Sequence, residues 1–162
     1  MKLTDIEAGV LQQAPVAIFM LVAGADGRRS TEEKNAYILT WRSQVDADQF
    51  GPMSSDPRQE QVWQWLFTAE EGTYLSMANM PDDDLWSIVS RAGGILRDLD
   101  DECDFTEVQN ITRSFTALAR AVAYAPTLTF LGAALGRSVS DEEHEMIRKI
   151  TGLFRIERCA AA

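Results

Sequence analysis

The chain holds two cysteines, one histidine, ten glycines and five prolines among 162 residues, and each scarcity removes a class of protein. Cys103 and Cys159 belong to no CxxC pair and to no Cys/His cluster. A zinc site is therefore not indicated, and both are expected as reduced thiols. So little glycine and proline, beside 46% hydrophobic and 25% charged residues, excludes fibrous and low-complexity chains. Positive charge is also short: 15 Lys and Arg face 25 Asp and Glu, giving a net charge of −10. That balance repels phosphate backbones and anionic head groups, so nucleic acid is not an expected partner.

Long apolar runs are missing as well. "APVAIFMLVAGA" (14–25) is shorter than a bilayer span requires, and "AVAYAPTLTFLGAALG" (121–136) is interrupted by Pro126. Both read as buried helix, with no membrane span. "MKLTDIEAGV" carries Asp5 and Glu7 where a signal peptide would begin its apolar core, so the expected compartment is the cytoplasm.

The signatures of catalysis are absent too. There is no GxSxG, no GxxxxGK[ST] and no glycine-rich nucleotide loop, since "RAGG" (91–94) falls inside a helical pattern. His144-Glu145 opens like a zincin helix, but Arg148 stands where the second histidine is needed. "RDLDDECDFTE" (97–107) lacks the central glycine and final glutamate of a calcium loop, and reads as an acidic interhelix connection capped by Asp104. The chain is not expected to be an enzyme.

What is present is helical period. Leu85, Ile88, Ala92, Ile95 and Leu99 recur at alternating spacings of three and four, as do Val108, Ile111, Phe115, Leu118 and Val122. Ile6, Val10, Ala14, Ile18 and Leu21 outline a first helix, which Pro15 is expected to bend or break. Val62, Trp63, Leu66 and Phe67 mark another, and Met146, Ile147, Ile150, Leu153 and Phe154 the last. Helix starts agree: Ser30 with Glu33, Asp104 with Glu107 and Ser140 with Glu143 pair a cap with an acid three residues on. Asp56-Pro57, and Asp82 to Asp84 after Pro81, supply two more starts, while "VDADQFGPMSSDP" (45–57) is the longest irregular connection. The expected architecture is one all-α domain over residues 1–162, a bundle of six or seven helices.

Two stretches echo one another. "LVAGADGRRSTEEKNAYI" (21–38) and "FLGAALGRSVSDEEHEMIRKI" (130–150) each run from an apolar helix end through a glycine turn and arginine to a serine cap, acids and an amphipathic helix. Two similar helix-turn-helix halves follow. "ADGRRSTEE" (25–33) and "GRSVSDEEHEMIRKITGLF" (136–154) resemble the TerB-like tellurite-resistance family. The resemblance is concentrated in these two stretches. It implies an all-α fold with internal pseudo-symmetry, a cytoplasmic bacterial protein linked to stress or tellurite resistance, no established catalysis, and an acidic site for a divalent cation such as calcium or magnesium.

Carried onto this chain, the resemblance places that site at Asp26, Glu32 and Glu33 in the first copy and at Asp141 and Glu142 in the second. Glu143 is left to its capping box, and Leu135 stands where the first copy has Asp26. A competing explanation needs no metal: carboxylates in a first helical turn gain roughly 0.3–1 kcal/mol from the helix dipole, and Asp26-Gly27 is a good turn. The aromatic residues offer a different function. Trp63 and Trp65 cannot share one helix face, so one of them, with Trp86, Phe67 and Tyr74 nearby in sequence, either seats the long loop or forms an exposed patch for another protein.

Overall fold

The computed structural model describes residues 4–27, 33–34, 36–37, 71–102, 105–124 and 139–155. Among them every regular element is helical, with no strand. The described helices are α1 (Asp5–Gly24), α2 (Glu71–Met77), α3 (Asp82–Glu102), α4 (Phe105–Ala123) and α5 (Asp141–Leu153), and residues 33–34 and 36–37 are helical as well. Residues 45–70, with the long connection, Trp63 and Trp65, lie outside the described residues, as do Ser30, Glu32, Cys103, Asp104 and Cys159.

The axis of the assembly is α1. Every residue from Ala14 to Ala23 is buried, because this stretch has apolar side chains all the way round and no polar face to offer water. It touches all four other helices, most extensively α3 and α4. By length and composition α1 is long and apolar enough to cross a membrane, since it begins well before Ala14, yet most of it is buried among its neighbours. Pro15 lies inside the helix without ending it, and is itself buried. The start is fixed by Thr4, whose Oγ1 accepts from the Glu7 N–H at 3.3 Å while Glu7 Oε2 accepts from the Thr4 N–H at 2.7 Å. Ile6, in the first turn of α1, is not a core residue: it is 71% exposed.

The stripe on α3 is rotated from the expected one. Leu85, Ala92 and Leu99 are buried as anticipated, but Val89 and Leu96 complete the inner face, and Ile88 and Ile95 pack at its margin. Both registers satisfy the helical period, and tertiary packing, most of it against α1, selects the one observed. On α4 the expected Ile111, Phe115, Leu118 and Val122 are all buried. The acidic run after Arg97 is not an interhelix loop, because α3 continues through Glu102.

Helix α5 closes the bundle against α1, α3 and α4. Ile147 and Ile150 point inward, and Phe154 at its C-cap meets Phe115 edge to face at 5.2 Å. Its last turn also lies on α3. Arg97 donates an N–H to the Leu153 carbonyl at 2.8 Å, satisfying one of the acceptors that a helix end leaves open. Gly93, one turn before Arg97, makes room for that carbonyl.

Candidate functional site

The chemistry suggested by the sequence is described in two places: the turn after α1 with Glu33, and the start of α5. In the first, α1 ends at Gly24, the Gly27 N–H donates to the Gly24 carbonyl at 2.9 Å, and Gly27 adopts φ +76°, a conformation that glycine takes at no steric cost. Asp26 is half-buried in this turn. Glu33 then lies in a helical segment, fully buried at 0% exposure. Tyr37, one turn on, packs its ring on Phe19 of α1 at 4.9 Å. Inward-facing Glu33 and Tyr37 are spaced as one helix face requires.

In the second, Ser140 caps α5. Its Oγ accepts from the Glu143 N–H at 3.1 Å, and Glu143 Oε2 accepts from the Ser140 N–H at 2.7 Å. The expected capping box is therefore formed. Glu143 is 2% exposed, whereas Asp141 and Glu142 in the same turn are exposed. Glu143 Oε1 is buried with no hydrogen-bond partner among the described residues. His144 is exposed, its Nδ1 lies 3.0 Å from the Ser140 carbonyl oxygen, and its ring meets Tyr124 edge-on at 6.4 Å.

Of the five acids proposed as ligands, Asp26 and Glu33 belong to the first of these places and Asp141 and Glu142 to the second; Glu32 lies outside the described residues. Among the described residues no three His, Cys, Asp or Glu side chains converge as a metal site would require. In sequence, Glu33 and Glu143 each stand three residues after a serine, and both are buried. The sequence marks both acids as capping partners, of which the Ser140–Glu143 box is formed, but not their burial; nothing in the local pattern distinguishes an exposed box, such as Thr4 with Glu7, from a buried one.

The remaining aromatic and apolar candidates divide by exposure. Trp86 is half-buried against the core, Tyr124 is 45% exposed and Leu75 on α2 is 67% exposed. Comparison with known proteins adds no relative: no family model, no curated protein and no solved structure matches this chain.

Proposed function

We propose that this chain is a non-enzymatic binding or regulatory module of the TerB-like kind, associated with stress or tellurite resistance in a bacterial cytoplasm, whose paired acidic helix starts take up a hard divalent cation. The observation that carries this reading is the burial of both Glu33 and Glu143 at the same place in the two echoing stretches. An inward glutamate in each copy ties the helix start to the core, and a start held in that way presents its other acids in a fixed arrangement. Asp141 and Glu142 then face solvent at the head of α5, and Asp26 lies in the Gly27 turn. Calcium or magnesium takes six or more oxygens, waters included, so solvent supplies the balance at either start.

Thermal melts in EDTA and in calcium, magnesium, manganese and zinc test the proposal. A cation bound only by the folded chain stabilises it by about 2.7 kcal/mol at a hundredfold excess over Kd. Asp26→Asn keeps the turn, because Asn tolerates the same conformations, and is expected to abolish the rise without altering the metal-free melt. No rise in any cation, or a full rise retained by Asp26→Asn and by Asp141→Asn, overturns the cation reading.

A metal-independent scaffold for other proteins is the second reading, supported by the exposure of Tyr124 at 45% beside His144. Tyrosine is enriched among residues that anchor protein interfaces. Under this reading Tyr124→Ala loses a binding partner while the melt is indifferent to every cation.

A further inference from the structure

We draw no further inference here: the strongest candidate, the buried Glu143 carboxylate at the start of α5, whose Oε1 has no hydrogen-bond partner among the described residues, belongs to the helix start already described, and nothing in the structure shows a ligand that reaches it.

Discussion

Gly93 lies against the backbone of Leu153 so closely that a Cβ at position 93 would stand 2.8 Å from the Leu153 carbonyl oxygen. The obstacle is main chain at the end of α5, which cannot swing aside as a side-chain tip can. Gly93→Ala is therefore expected to push α5 off α3 and to lower stability by about 1–3 kcal/mol, the usual range for overpacking. Gly94 is the control. A Cβ there meets nothing within 4 Å among the described residues, so Gly94→Ala is expected to stabilise by about 0.5–1 kcal/mol through helix propensity alone. Opposite shifts of the two melting temperatures confirm the close approach; equal shifts contradict it.

The capping boxes at Thr4 and Ser140 use the same pair of hydrogen bonds in different surroundings. Ser140→Ala is expected to cost about 0.5–2 kcal/mol. Glu143→Ala removes a buried acid and strands the Ser140 N–H, with an expected cost of about 1–3 kcal/mol. Glu7→Ala, at an exposed start, is expected to cost clearly less. Urea denaturation of the three variants checks the order, and a Glu7 effect equal to that of Glu143 would show that burial contributes nothing.

Glu7 also gives a pH signature. The Thr4 backbone N–H, and after it the Thr4 hydroxyl, hold its carboxyl below the ordinary range, against a small opposing effect of desolvation. A carboxylate whose pKa is lowered by folding contributes stability above its unfolded pKa and loses it as pH falls through the folded value. Glu7→Gln keeps an acceptor but has no charge to titrate. The gap in melting temperature between wild type and Glu7→Gln is expected to hold from about pH 7 to about pH 5, above the ordinary glutamate range, and to shrink only as pH falls below it. A gap that stays constant down to about pH 3 rules out the linkage.

Helix type was legible in the sequence through its period, and at the two expected starts that are described the Ser140 box and the acids of Asp82 to Asp84 stand where their patterns place them. What was not legible depends on contacts between distant segments. The rotation of the α3 stripe toward Val89 and Leu96 is set by packing against the other helices, and Ile88 and Ile95 are equally apolar alternatives. Pro15 does not end α1, whose packing on every side holds the helix together across the lost hydrogen bond. The Arg97 bond to Leu153 joins residues far apart in the chain and carries no local signature. At the candidate site the residue types were readable, but the burial of Glu33 and Glu143 was not, since burial is set by tertiary packing rather than by the local pattern.

The all-round apolar character of α1 also sets a problem of timing. The helices that bury most of it, α3, α4 and α5, all follow it at a distance in the chain, so during translation this apolar segment emerges well before its main cover. At about 5–20 residues per second, the interval between the release of Gly24 and that of Asp141 is on the order of ten seconds. Contacts between segments far apart in the chain slow folding, because the loop between them must be closed before they form. Until those helices have emerged, the apolar residues from Ala14 to Ala23 lack the contacts that bury them in the folded chain, and premature association is expected to begin there.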